Sequence, residues 1–142
     1  MPERLRATLA KARAASEAGD HESAAQSYFR AAETARSADL PGELAFCLRH
    51  GAQARLEVGC ARTALDAGRE AAEIYRRTEG TKGLNYANSA RLVALANEAL
   101  GASEEARPLW AEARRIYEVN GVREGVSECD AHLAASGQGQ GG

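Results

Sequence analysis

Aromatic residues, proline and methionine are scarce in this chain of 142 residues. One Trp, four Tyr and two Phe make up 5% of it, and it has three prolines and one methionine. So few large rings exclude a core built mainly from aromatic packing. Long apolar runs are missing as well, so the sequence predicts neither a membrane-spanning helix nor a signal peptide.

Neither sign of charge is in excess. The 18 basic and 20 acidic residues leave a net charge of -2, which argues against binding to nucleic acid or to an anionic membrane surface. Lysine is nearly absent, because 16 of the basic residues are arginine. Basic chemistry in this chain is therefore guanidinium chemistry, and the bias suggests a bacterial-type cytosol.

Alanine, in contrast, is abundant, with 32 residues or more than a fifth of the chain. A chain of this length buries enough surface to fold as one domain without a metal or a disulfide. Apolar and small residues recur at helical intervals of three and four, as at Ala52, Leu56 and Gly59. The sequence therefore predicts an all-α protein whose helices pack at short distances.

The alanines belong to an internal repeat that is present three times. Gly19, Gly59 and Gly101 lie 40 and 42 residues apart. Alanine recurs seven and five residues before each glycine, and five and twelve residues after it. These columns are Ala12, Ala52 and Ala94; Ala14, Ala54 and Ala96; Ala24, Ala64 and Ala106; and Ala31, Ala71 and Ala113. A further column, nine residues after each glycine, contains Tyr28, Gly68 and Trp110.

Each unit is predicted to be a pair of antiparallel helices joined at its glycine, where a left-handed residue ends the first helix. The three helix pairs are expected at about 3–38, 43–79 and 83–119, and within each pair the first helix ends at the turn glycine. A seventh helix at about 123–135 has one apolar side and is expected to cap the array. The domain thus covers 1–135, and the Gly/Gln-rich stretch 136–142 is predicted to be disordered.

Most of the aromatic residues are expected in the core, filling the holes between the alanine columns. The predicted fillers are Tyr28, Tyr75, Trp110 and Tyr117. Gly68 interrupts the aromatic column. This predicts a filler from elsewhere, such as Phe46 or Tyr75, a weak point, or an unusually close contact between helices.

With their alanine columns, turn glycines and aromatic column, the units resemble tetratricopeptide repeats. They are longer than the standard 34 residues and are more similar to the extended variety of about 42 residues seen in kinesin light chains and many bacterial regulatory proteins. The stretch 104–110, Glu-Glu-Ala-Arg-Pro-Leu-Trp, is like the second helix of that variety. Lys11, Gly51 and Gly68 depart from the pattern, because the family usually has a larger apolar or aromatic residue there.

The resemblance implies a right-handed α-solenoid of three helical hairpins whose first helices form a concave face. It also implies a non-catalytic module without a cofactor, which binds a peptide or a segment of a partner protein in that face. Stacked hairpins create such a surface whatever their family. By register, the predicted groove residues are Arg13, Phe46, Arg49, His50, Gln53, Asn88, Arg91, Leu92 and Leu95.

Arg49 and Arg91 occupy matching positions in adjacent units. Together with Arg13, they are expected to face the same way and to bind a carboxylate or an acidic peptide through bidentate hydrogen bonds. The alternative is that they are solvated and paired with acidic residues such as Glu57 and Glu98. The lysine, asparagine and arginine set with which chaperone-binding repeats clamp a carboxylate is not present at the corresponding positions.

A second candidate function is self-association. In that case the edge of the solenoid, or an exposed surface made by Phe46, Leu92 and Leu95, would pair with a second copy. The sequence leaves the oligomeric state open between monomer and homodimer.

The cysteines favour neither disulfides nor a metal site. Cys47, Cys60 and Cys129 are an odd number without a disulfide-like spacing, which predicts a reducing compartment and cytoplasmic localisation. Cys47 with His50, and Cys129 with His132, form Cys-x-x-His pairs on single helix faces. A closed zinc site needs four ligands, and pairs two units apart do not meet in a solenoid. No motif of an enzyme is recognisable, and we expect no catalytic activity.

Overall fold

A computed structural model describes residues 2–141 of the chain, with the side chains of residues 2–136. Seven α-helices follow one another, and residues 2–141 contain no strand. The helices are α1 Glu3–Glu17, α2 His21–Ser37, α3 Pro41–Glu57, α4 Ala61–Glu79, α5 Leu84–Ala99, α6 Ser103–Val119 and α7 Arg123–Gly141. The all-α prediction is confirmed.

The helices are joined in pairs by tight turns at three glycines. Gly19, Gly59 and Gly101 have φ angles of 78°, 80° and 81°, the left-handed conformation that glycine adopts without a Cβ clash. In the first of these turns the N–H of Gly19 donates to the carbonyl oxygen of Ser16 at 3.0 Å. The near-identical φ angles confirm that the three glycines have the same role in each unit.

The helices stack into two layers. Each helix packs against the helix before it and the helix after it, and α3 also contacts α5. One hollow lies between α1 and α3, and another lies among α3, α5 and α7. The first helices α1, α3 and α5 therefore form one layer with α7, and α2, α4 and α6 form the other, as in the α-solenoid that the repeats predict.

The alanine columns lie where these layers meet. Fully buried members are Ala12, Ala24, Ala31, Ala52, Ala64, Ala71, Ala94, Ala96 and Ala113. Ala14 is an exception and is exposed. The four predicted aromatic fillers are buried, with exposed fractions of 7% for Tyr28, 3% for Tyr75, 0% for Trp110 and 3% for Tyr117. The predicted division of the core into small columns and large fillers is confirmed.

Two glycines that break the repeat pattern lie where a neighbouring helix takes the space. A Cβ atom at Gly51 would lie 2.9 Å from the ring of Phe29 in α2. One at Gly68 would lie 3.2 Å from Cγ2 of Val93 and 3.7 Å from its backbone nitrogen. Of the explanations offered for Gly68, the close helix contact, between α4 and α5, is the one observed.

The seventh helix covers the last pair, as predicted for a cap. Val122, before its first residue, and Val126, Cys129 and Leu133 in it pack with the cluster around Trp110. This helix continues to Gly141, past the end predicted at about 135, and the disorder predicted for 136–142 stays a prediction. Within the described residues, no helix combines the length and apolar character needed to cross a membrane.

Candidate partner-binding groove

The layer of first helices contains a hollow of about 610 Å³, which we call the central groove. Helices α3, α5 and α7 line it, together with the end of α6 and the turn that follows. Its lining residues are Arg49, His50, Gln53, Asn88, Arg91, Leu92, Tyr117, Val122, Glu124, Gly125 and Glu128. Its walls thus carry basic, acidic, amide and aromatic groups side by side.

Six of the nine groove residues predicted from the sequence line this one hollow. They are Arg49, His50, Gln53, Asn88, Arg91 and Leu92. Arg13 and Phe46 instead line a neighbouring hollow of about 290 Å³ between α1 and α3. Register alone therefore placed the α3 and α5 residues together, but whether they bind a partner is a separate question.

The two predicted leucines are less accessible than expected. Leu92 is 3% exposed, and Leu95 is half-buried and packs with the cluster around Trp110. Phe46 is also half-buried. The prediction of an exposed apolar surface fails at Leu92, which belongs to the buried core, whereas Phe46 and Leu95 are partly exposed.

Five lining residues were missed, and all of them come from the end of α6, from α7 or from the turn between these helices. They are Tyr117, Val122, Glu124, Gly125 and Glu128. The seventh helix was interpreted only as a cap, although it continues the layer of first helices. A signal was available, because Gly125 follows Gly83 by the same 42 residues that separate the last two turn glycines.

Arg91 is held in a chain of hydrogen-bonded side chains that crosses the groove. Its Nε and Nη2 donate to the two carboxylate oxygens of Glu128, with 3.0 Å from Nη2 to Oε2. Its Nη1 donates to Oε1 of Gln53 at 3.5 Å, and Nε2 of Gln53 donates to Glu57 at 3.0 Å. Arg91 therefore already has a carboxylate partner, in α7. The alternative prediction, in which the arginine is paired with an acidic residue, therefore applies to Arg91. Its partner is Glu128 and not Glu57 or Glu98.

Arg49 occupies the matching position in α3 but is not paired in this way. Among the residues with described side chains, it makes no ion pair. Its guanidinium carbon lies 5.9 Å from the centre of the Phe46 ring, within the range of a cation–π contact. Its Nε is buried and has no hydrogen-bond partner in the described part of the chain. The two arginines are therefore not equivalent, which corrects the expectation of a matched pair.

His50, next to Arg49, also presents a nitrogen without a partner. Its ring stacks on Tyr28 with 5.4 Å between the ring centres, and lies 4.2 Å from the centre of Phe46. Its Nε2 is buried without a hydrogen bond to any described residue. Burial, and then the nearby positive charges of Arg49 and Arg13, lower the pKa of His50 to about 4. The imidazole is therefore neutral at pH 7 and carries one N–H.

The groove is closed at one side by Tyr117, which packs against a glycine. A Cβ at Gly125 would lie 2.5 Å from Cγ of the Tyr117 ring, so only a residue without a side chain fits. The Tyr117 hydroxyl donates to Oδ1 of Asn88 at 2.6 Å. Burial is the main reason that the pKa of Tyr117 is raised to about 12. This hydrogen bond holds the side chain of Asn88 in place and uses its Oδ1 as an acceptor.

The helix α7 is fastened to the layer by a second polar cluster, outside the groove. Oε2 of Glu98 accepts a hydrogen bond from Nε1 of Trp110 at 2.9 Å, and Oε1 of Glu98 lies 2.8 Å from Nδ1 of His132. The His132 ring stacks on the Trp110 ring, with 4.0 Å between centres and 12° between planes. Nη1 of Arg107 donates to the carbonyl oxygen of Leu133 at 3.1 Å. These contacts fix the wall that carries Glu124 and Glu128.

The cysteines lie apart from this chemistry. Cys47 and Cys129 are buried, and burial raises the pKa of each thiol to about 11. Cys60 is exposed. In the part of the chain described here, no three His, Cys, Asp or Glu side chains are grouped so as to hold a metal ion.

Comparison with solved structures identifies the fold. A TPR-like protein from Chlorobium tepidum TLS matches with a TM-score of 0.78 and 22% sequence identity, over 94% of this chain and 94% of that one. This chain has a TPR-like fold. BtubC (BKLC) from P. vanneervenii matches more loosely, with a TM-score of 0.58 and 14% identity, over 97% of this chain and 65% of that one.

No family model and no curated protein matches the chain. The TPR-like assignment thus rests on the stacking of the helices. At sequence identities of 22% and 14% it is an assignment of the fold alone. It agrees with the repeat columns read from the sequence, because alanine columns and turn glycines determine how helical hairpins stack.

Proposed function

We propose that this chain is a non-catalytic protein-interaction module that binds an acidic segment of a partner protein in the central groove. The observation that carries the proposal is the pair of unpartnered nitrogens, Nε of Arg49 and Nε2 of His50, on adjacent residues that line the groove. The TPR-like fold supports it as well, because stacked hairpins offer an extended surface to a partner.

A carboxylate meets the chemical requirement of these two groups. A buried donor without a partner costs about 1–3 kcal/mol, and a ligand oxygen that accepts from it recovers this cost. Arg49 donates from Nε, and the neutral imidazole of His50 donates when its proton is on Nε2. A carboxylate offers two acceptor oxygens, and charge-assisted hydrogen bonds to it are stronger than neutral ones.

The groove also offers a group for the main chain of such a segment. Oδ1 of Asn88 is taken by Tyr117, but its Nδ2 makes no hydrogen bond to a described residue. An amide N–H in this position suits a peptide carbonyl oxygen. We infer that a segment lies along α3 and α5 with an acidic side chain or a carboxyl terminus at Arg49.

Capture from a lysate of the native host tests the proposal with three forms of the protein. Arg49→Glu should abolish capture of the partner, because it removes the donor and places a negative charge in the groove. Arg62→Glu is the matched control, since Arg62 is exposed on α4 and does not line the groove. Loss of capture in both variants, or in neither, would contradict the proposal. Circular dichroism checks that helicity is unchanged.

Homodimerisation is the weaker candidate. The apolar surface assigned to it is not exposed at Leu92, and most of the residues that line the groove are polar or charged. Light scattering at increasing protein concentration distinguishes the two, since the groove proposal requires no second copy. We further propose that the protein acts as a cytoplasmic adaptor or scaffold of bacterial type. We also propose that its units belong to the extended variety of tetratricopeptide repeat, which the 40- and 42-residue intervals support.

A further inference from the structure

The distribution of charge in the central groove adds a direction to the proposed binding. We infer that the groove accepts a bipolar segment, with its acidic group at the α3 wall and a basic side chain at the α7 wall. This inference rests on the proposed function and specifies the chemistry of the partner.

The three helices that line the groove differ in charge. On α3, Arg49 makes no ion pair with a described residue. Between α5 and α7, Arg91 and Glu128 neutralise each other, and their side chains are 28% and 30% exposed. On α7, Glu124 lines the groove, is exposed and has no ion pair with a described side chain. The groove is therefore positive at one wall, neutral in the middle and negative at the other.

The position of Glu124 in the groove is a separate observation from its position in the first turn of α7. An acidic residue in the first turn of α7 is favoured by the helix dipole, but that effect does not determine which hollow the side chain lines. The basic neighbour Arg123 lines a different hollow, whereas Glu124 lines the central groove. Gly125 has no side chain to shield Glu124 from a ligand. The carboxylate is accessible from the groove and has no neutralising neighbour there.

The distance between the walls sets the spacing of the two charges in the segment. Nη1 of Arg91 donates to Gln53 of α3 at 3.5 Å and Nη2 donates to Glu128 of α7 at 3.0 Å, so polar side chains of the two walls lie within reach of one guanidinium group. An extended chain advances about 3.3 Å per residue. The acidic and basic residues of the segment are therefore expected within a few residues of each other.

Synthetic peptide libraries test this inference without knowledge of the natural partner. Four acetylated, amidated, fluorescein-labelled libraries carry two fixed residues, at separations of two to four positions, and degenerate uncharged residues elsewhere. The fixed pairs are Glu and Lys, Lys and Glu, Glu and Glu, and Gln and Gln. Fluorescence polarisation at low salt measures their affinities. One of the two bipolar libraries should bind about fivefold more tightly than the Glu/Glu library, since the groove has one direction.

The decisive variant is Glu124→Lys, which should reverse this preference and make the Glu/Glu library the tightest. Glu104→Lys is the matched control, because Glu104 is also exposed in the first turn of a helix but does not line the groove. Both glutamates are exposed, and unchanged circular dichroism would verify that the variants fold. The control should leave the ranking of the libraries as in the wild type.

The results separate this inference from the proposed function. If Arg49→Glu abolishes binding but Glu124→Lys leaves the ranking unchanged, the inference is overturned and the acidic-segment proposal stands. If the wild type binds the Glu/Glu library as tightly as the better of the two bipolar libraries, the inference is also overturned. If Arg49→Glu leaves the affinities for all four libraries unchanged, the proposed function itself fails, and the inference fails with it.

Discussion

Replacing His50 tests the central groove through the stability of the fold. The His50 ring packs against the rings of Tyr28 and Phe46, and Arg49 and Arg13 are the nearby cations. Burial first, and then these charges, lower the pKa of His50 from 6.5 to about 4. In the folded protein His50 therefore stays neutral at pH values where the same residue in the unfolded chain becomes protonated.

The sign of the pH dependence follows from the protons bound in each state. Between pH 6.5 and pH 4 the unfolded chain binds more protons at His50 than the folded protein, so the free energy of unfolding falls as the pH falls. The contribution of His50 is present above pH 6.5 and is lost toward pH 4. The loss from pH 7 is about 2 kcal/mol at pH 5 and about 3 kcal/mol at pH 4.

The assay is urea unfolding of the wild type and of His50→Gln at pH 7 and pH 5, followed by circular dichroism. Carboxylates also titrate in this range, so the informative quantity is the difference between the two proteins at each pH. The stability of the wild type relative to the variant should fall by about 2 kcal/mol on acidification. An equal difference at both pH values, or a His50 pKa of 6.5 measured by NMR, would refute the reasoning.

Two further substitutions test the packing around α7. Gly125→Ala places a Cβ 2.5 Å from the Tyr117 ring, and should reduce the free energy of unfolding by about 1–3 kcal/mol. Gly42→Ala, with no atom within 4 Å of the added Cβ, should be neutral or stabilising in the same urea titration. Trp110→Ala removes a fully buried ring and its hydrogen bond to Glu98. It should cost about 3–5 kcal/mol and increase amide exchange in α7, and unchanged exchange there would contradict the assigned anchor.

Most of the fold could be predicted from the sequence because its contacts are local. Gly59 lies in the turn that joins α3 to α4, and the buried Ala64 follows it by five residues in the sequence. Small residues leave little choice of packing, so their spacing reveals how neighbouring helices stack. The interval of 42 residues between Gly83 and Gly125 extends this regularity into α7.

The candidate groove could be predicted only in part, because side-chain pairing is not a property of register. Arg49 and Arg91 occupy matching positions, yet only Arg91 meets a carboxylate, from Glu128, which lies 37 residues further along the chain. That contact depends on the angle at which α7 packs against the preceding pair. Leu92 illustrates the same limit of spacing, since a residue on the correct helix turned out to be buried between the layers.

The packing of each helix mainly against its neighbours in sequence has a consequence for unfolding. In such an array, stability is roughly a sum of contributions from adjacent elements, and α1 and α7 each have one main packing partner, so they open first. A segment in the central groove touches α3, α5 and α7 at once and links helices that are distant in sequence. Because a ligand stabilises only the state that binds it, an occupied groove would make these helices unfold as one cooperative unit.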